Sequence, residues 1–137
     1  MTALGCAAAL LSFTVACGKD SVAEPDQVRI VAKLPEDVDE IRSKKNADAF
    51  RSWADRNGTA SQKAAANRVG RILGEWDANT GNAYISTDID GQKTLEADLR
   101  AMANDLVEAF DDWSDSELGY VSVYDRNGDA LKTNHRF

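Results

Sequence analysis

Leu95, Leu99, Met102, Leu106, Val107, Phe110 and Trp113 recur at helical spacing, and Glu96, Asp98, Arg100, Asp105 and Asp111 fall between them. The spacing predicts an amphipathic helix over about 92–113, whose apolar stripe is core rather than a cofactor box and must be buried against a second element. Segments on both sides of it read as β-hairpins. Val69 to Trp76 and Asn82 to Ile89 flank Asp77-Ala78-Asn79-Thr80-Gly81, a loop rich in turn formers. Two registers fit. One sets Ile72, Gly74 and Trp76 against Thr87, Ile85 and Ala83, and a one-residue slip buries Val69, Leu73 and Ile85 instead. Asp90 is placed to cap the helix that follows. From Gly119 to Phe137 the chain forms the second hairpin, with a three-residue loop Arg126-Asn127-Gly128 and Gly128 at positive φ. That loop pairs Val123 with Leu131 and Val121 with Thr133, whereas a two-residue Asn127-Gly128 turn sets Val123 against Lys132; the first is preferred.

Before the first hairpin, Pro35 and the acidic run Glu36, Asp37, Asp39 and Glu40 mark the start of a helix over about 36–56, ended by Asn57-Gly58. Its apolar face is Val38, Ile41, Phe50, Trp53 and Ala54, with a polar gap from Ser43 to Asn46 that leaves Lys44 and Lys45 as a basic spot. Ser61 to Asn67 reads as a further helical turn. Val28 to Leu34 alternates as a first strand would, or else continues the polar segment before it. The fold class is α+β: an antiparallel sheet of four strands, five if 28–34 joins, with two main helices packed on one face. Aromatic-Asp-x-Asn occurs at both hairpin turns (Trp76 to Asn79, Tyr124 to Asn127). An αββ unit repeated twice and independent selection by turn chemistry both account for this.

At the other end, the first sixteen residues carry no charge, run through Ala7 to Phe13 and reach Thr14-Val15-Ala16-Cys17 ahead of Gly18-Lys19-Asp20. The apolar stretch has the length of a signal-peptide core and falls short of the roughly 20 residues that cross a bilayer. Thr14-Val15-Ala16-Cys17 resembles the bacterial lipoprotein signal, matching at Val15 and Ala16 and departing at Thr14. The resemblance implies that Cys17 receives a diacylglyceryl group and becomes the first mature residue, with further acylation such as palmitate. Residues 1–16 are then a signal peptide, 17–27 a lipid-anchored tether and 28–137 one domain, in line with roughly 100 to 200 residues per domain. Cys6 lies in the discarded segment, so no Cys6–Cys17 disulfide is expected.

Gly74-Glu75-Trp76-Asp77 and Gly81 to Ile89, ahead of a helix ending in Trp113 and a Val-rich hairpin, resemble small exported lipoproteins of actinobacterial type. That resemblance implies an extracytoplasmic, membrane-attached location and carries over no activity, cofactor or catalytic residue.

All 16 basic and 23 acidic residues lie after Cys17, so the mature chain keeps the full net charge of -7. Nucleic acid is excluded by that acidity, because phosphates call for a basic face. Asp77, Asn79, Asn82 and Asp88 have part of a calcium-loop spacing, but Asn82 stands where the loop needs Gly and Asp88 where it needs Glu; a turn that bonds its own backbone is the simpler reading. Asp88 and Asp90, beside Glu75, are the acid and base set an enzyme would use. His135, the one histidine, is read as frayed. The expectation is therefore a non-catalytic binding domain without cofactor, displaying Tyr120, Ser122, Tyr124 and Tyr84 on the sheet face away from the helices toward a protein partner. An inhibitor or immunity-type lipoprotein and a small-molecule carrier are the alternatives.

Overall fold

A computed structural model describes residues 32–137; the signal segment, Cys17, the tether and residues 28–31 of the first-strand reading lie outside the described residues. Asp39, not Pro35, sets the first helix. Its Oδ1 accepts from the Arg42 N–H at 3.0 Å, and α1 runs Glu40–Asn57. A capping box then starts α2 (Ala60–Ala66): the Thr59 N–H donates to Gln62 Oε1 at 2.9 Å and the Gln62 N–H to Thr59 Oγ1 at 3.2 Å. The chain continues through β1 (Val69–Trp76), β2 (Thr80–Thr87), α3 (Glu96–Trp113), β3 (Leu118–Tyr124) and β4 (Ala130–Arg136).

The four strands lie in the order β1-β2-β3-β4, but the sheet is mixed rather than antiparallel. Each hairpin is antiparallel, and β2 pairs with β3 in parallel. A single helix between the hairpins forces this: α3 returns the chain to the end where β2 began, so β3 leaves in the same direction as β2. Lys33 makes one antiparallel bridge to Asp129, with the Leu34 N–H donating to the Gly128 carbonyl at 2.8 Å. Of the fifth-strand reading, that bridge is what the described residues contain.

The paired register given for the first hairpin does not occur, and the one preferred for the second is corrected. In the first hairpin Ile72 opposes Ile85, Gly74 opposes Ala83 and Trp76 opposes Gly81, with an irregularity between Val69 and Arg71 that turns Val69 and Ile72 both into the core. Its turn is short. Asp77 donates its N–H to the Thr80 carbonyl at 2.9 Å, while its own Oδ1 accepts from the Asn79 and Thr80 N–H groups at 2.8 and 3.0 Å. In the second hairpin the three-residue loop is as expected, with Gly128 at φ +80°, yet Val123 pairs with Lys132 and Val121 with His135. The ladder slips between Tyr124 and Val123 and again between Val123 and Val121. There Asn134 takes φ +53°, and its N–H donates to Ser122 Oγ at 3.0 Å. Asp125 Oδ1 accepts from Asn127 and Asp129 at 2.9 Å each, so the likeness of the two turns is one of Asp-to-backbone bonding on loops of different length.

Between helices and sheet lies a core of Ala47, Phe50 and Ala54 from α1, Leu106, Val107 and Phe110 from α3, and Ile72, Ala83, Ile85, Val121 and Val123 from the strands. The α1 stripe holds at Phe50 and Ala54 and departs from its expected position at the start. Val38 and Ile41 are 89 % and 84 % exposed, Lys44 and Lys45 face solvent, and Ser43, the first residue of the polar gap, is buried together with Ala47. Small side chains there let the helix lie close against β1. Phe137 is buried, its ring 4.8 Å from Phe110 and its N–H donating to the Gly119 carbonyl. The C-terminus is therefore fastened, and His135 belongs to β4 rather than to a frayed tail.

Candidate functional site

Helix α1 runs antiparallel to β1 along the outer edge of the sheet and occupies that edge with side-chain donors. Arg51 donates to the Val69 carbonyl at 2.6 Å and Asn46 to the Ile72 carbonyl at 3.2 Å, while Arg42 pairs with Glu75 at 2.5 Å. Edge backbone groups that would otherwise recruit another strand are thus satisfied within the chain. Beyond Asn46, toward the start of α1, a cleft of about 100 Å³ opens. Val38, Arg42, Ile72, Leu73, Gly74 and Glu75 line it, and an adjoining depression of about 130 Å³ reaches Trp76. Arg42, also 3.6 Å from Asp39, bridges two carboxylates across its mouth. The Glu75 pairing holds its guanidinium even more firmly charged than usual.

At the inner end of the cleft, Asp37 accepts from Ser43 Oγ at 2.5 Å, from Arg71 at 3.1 Å and from the Asp39 N–H at 3.2 Å, and its side chain is 8 % exposed. Burial opposes ionisation, but the Ser43 hydroxyl, the Asp39 N–H and Arg71 outweigh it and hold the carboxyl below its ordinary value. A depressed folded-state value contributes stability that is present above the unfolded value near 3.9 and is lost as pH falls through the folded one. Asp37→Asn should therefore cost about 1–3 kcal/mol at pH 6. The difference from the parent should shrink as pH falls below about 4, as urea unfolding at a series of pH values will read.

The carboxylates that an enzyme would use, Asp88 and Asp90 beside Glu75, do not converge. Asp88 pairs with Arg68 at 2.5 Å beside the start of β1, whereas Glu75 sits near its other end, about 20 Å away by the rise of a strand. Asp90 Oδ1 accepts from the Gln92 and Lys93 N–H groups at 3.0 and 3.2 Å, capping the turn ahead of α3. Backbone bonding to Thr80 and Asn79 lowers the Asp77 value, so its carboxylate is already engaged within the turn. Among the described residues no cluster of three or more His, Cys, Asp or Glu could hold a metal.

Nor does the helix-free sheet face display the tyrosine surface in full. Tyr124 is fully buried and Ser122 is 3 % exposed, while Tyr84 and Tyr120 are half-buried. Burial pushes the Tyr124 hydroxyl up to about 12, and its ring packs 6.3 Å from Tyr84. Strand alternation identified the face correctly, but it carried no information on whether that face is covered. Lys44 pairs with Glu40 at 3.4 Å, and Lys45 is exposed. A second cleft, of about 270 Å³, lies between α3 and β4 against Arg100, Ala103, Asn104, Leu131 and Lys132, and Arg100 is paired with Glu96. Sequence reading missed the α1–β1 cleft, since its walls come from residues assigned to the core (Val38) and to a hairpin (Glu75). The one available signal was the polar gap in the stripe of α1.

No protein-family model, curated protein or solved structure matches the chain.

Proposed function

We propose that the protein is an exported lipoprotein whose folded part is a non-catalytic domain that binds a protein partner at the cell envelope. The observation that carries the reading is the uncharged run to Ala16 followed by Cys17 and a remainder that carries all 16 basic and 23 acidic side chains, a pattern that directs export and supplies one cysteine for acylation. Two or more acyl chains give a lasting anchor where one does not. Support for binding rather than catalysis comes from Glu75, Asp77, Asp88 and Asp90, which are scattered and each committed to an ion pair or a turn. Against a small-molecule carrier stands the size of the clefts, about 100 to 270 Å³, below the roughly 300 to 1,000 Å³ that enclose such ligands.

Expression of the chain in a bacterium with a lipoprotein pathway, followed by detergent phase partition and mass spectrometry, tests the anchor. The parent should enter the detergent phase with a diacylglyceryl mass on Cys17. Cys17→Ser should remain in the aqueous phase. An unmodified parent in the aqueous phase would overturn the proposal.

A further inference from the structure

Among the described residues, three of the four exposed large aliphatic side chains, Val38, Ile41 and Leu118, lie toward one end of the sheet, and the fourth, Leu95, lies at the opposite end. That first end is assembled from the start of α1, the β1–β2 turn and the end of α3. The Glu117 and Leu118 N–H groups donate to the Ala78 and Asn79 carbonyls at 2.9 and 3.0 Å, and Trp76 Nε1 donates to Ser114 Oγ at 2.9 Å, which ties the last two together, while the Arg42–Glu75 pair joins the start of α1 to β1. Acid dominates it. Between Ala101 and Asp125 there is no Lys or Arg, and Asp111, Asp112, Asp115 and Glu117 are exposed. The last turn of α3 contains no basic residue, although carboxylates there oppose the helix dipole. Arg42 is held between Asp39 and Glu75, Arg71 by Asp37 and Lys44 by Glu40, and Arg136 is bonded to the Glu117 carbonyl; Lys45, four residues on from Ile41, is an exposed cation at the border of this end.

From this juxtaposition we infer that the acidic end of the domain, with the α1–β1 cleft, the bare Val38 on its wall and the exposed Ile41 in the first turn of α1, is the docking surface for a basic protein surface that inserts one aliphatic side chain into the cleft. The inference rests on the binding-domain reading and names its partner's chemistry. A cleft of about 100 Å³ takes a single side chain rather than a free ligand. An apolar centre inside a charged rim is the usual anatomy of a protein interface. Excess carboxylate around it steers a cationic partner and repels an acidic one. Strand addition is the competing way to dock here, and Asn46 and Arg51 already occupy the Ile72 and Val69 carbonyls of β1.

The test is titration of the isotope-labelled chain from Cys17 onward with a 14-residue helical peptide of Leu and Lys, followed by amide chemical shifts. Shifts should concentrate in residues 36–45, 72–77 and 111–118. Val38→Ser/Ile41→Ser, which removes only exposed side chains and should leave the melting temperature unchanged, should weaken binding roughly tenfold or more. A Leu/Glu peptide of the same length should not bind. Shifts centred on another surface, no binding, or equal affinity of parent and double variant would overturn the inference. Because the assay contains no membrane, its failure leaves the Cys17 result standing, and loss of the anchor leaves this surface standing.

Discussion

Phe110→Ala should lower stability by about 3–5 kcal/mol, the largest loss expected from any single truncation in this domain. Phe110 is fully buried, with ring centroids of Phe50, Trp76, Trp113 and Phe137 at 5.9, 5.4, 5.4 and 4.8 Å. It is the shared member of a five-ring cluster that joins both long helices, the end of β1 and the C-terminus. Removing it takes away apolar burial and also several edge-on ring contacts, each worth about 0.5–1.5 kcal/mol beyond area. The surrounding rings are themselves held by other packing, so the space does not simply collapse. Against a total of roughly 5–15 kcal/mol for a domain, such a loss should bring the urea midpoint down by about a fifth or more. Trp113→Ala, at a half-buried position, should cost less. A Phe110→Ala loss below about 1.5 kcal/mol would mean that the cluster can be repacked.

That cluster also shows what the sequence reveals and what it withholds. Phe110 and Trp113 announce themselves by helical spacing, and β1 begins and ends where the alternation and the turn residues place it. Phe137 does not, because nothing local distinguishes a terminal aromatic in the core from a frayed one; only the pairing of β4 with β3 and the gap beside Gly119 settle its position. Helix α1 was misread for a related reason. Counting large apolar residues picks Val38 and Ile41, whereas the close approach to β1 selects the small Ser43 and Ala47, with the Ser43 hydroxyl satisfied by Asp37. The parallel pairing of β2 with β3 was in principle legible from the single intervening helix, but adjacency of the two hairpins is a tertiary fact. Of the candidate site, the charges were visible and their grouping was not: Glu75, Arg42 and Asp37 meet only when α1 lies along the sheet edge. Tyr124 was assigned to the correct face and to the wrong side of the boundary between solvent and interior.

Gly74 and Gly70 stand four residues apart in β1, and substituting Ala at each should have opposite consequences. Gly74 has φ +97°, and a Cβ there would lie 2.1 Å from the Asn82 carbonyl oxygen and 3.2 Å from the Tyr84 ring. The first obstacle is backbone of the partner strand, so no rotamer change relieves it; either the β1–β2 ladder moves or Gly74 abandons its conformation. Gly74→Ala should therefore destabilise by about 2 kcal/mol or more. It should also disturb the cleft, which Gly74 lines between Ile72 and Glu75. At Gly70 a Cβ meets nothing within 4 Å, and φ lies outside the positive region. There Ala restricts the unfolded chain without straining the folded one, so stability should rise by a few tenths to about 1 kcal/mol. Denaturant midpoints of the two variants measured side by side decide the matter: equal losses would place the cost in strand propensity in general, while a loss confined to Gly74 locates it in the twist that holds the wall of the cleft.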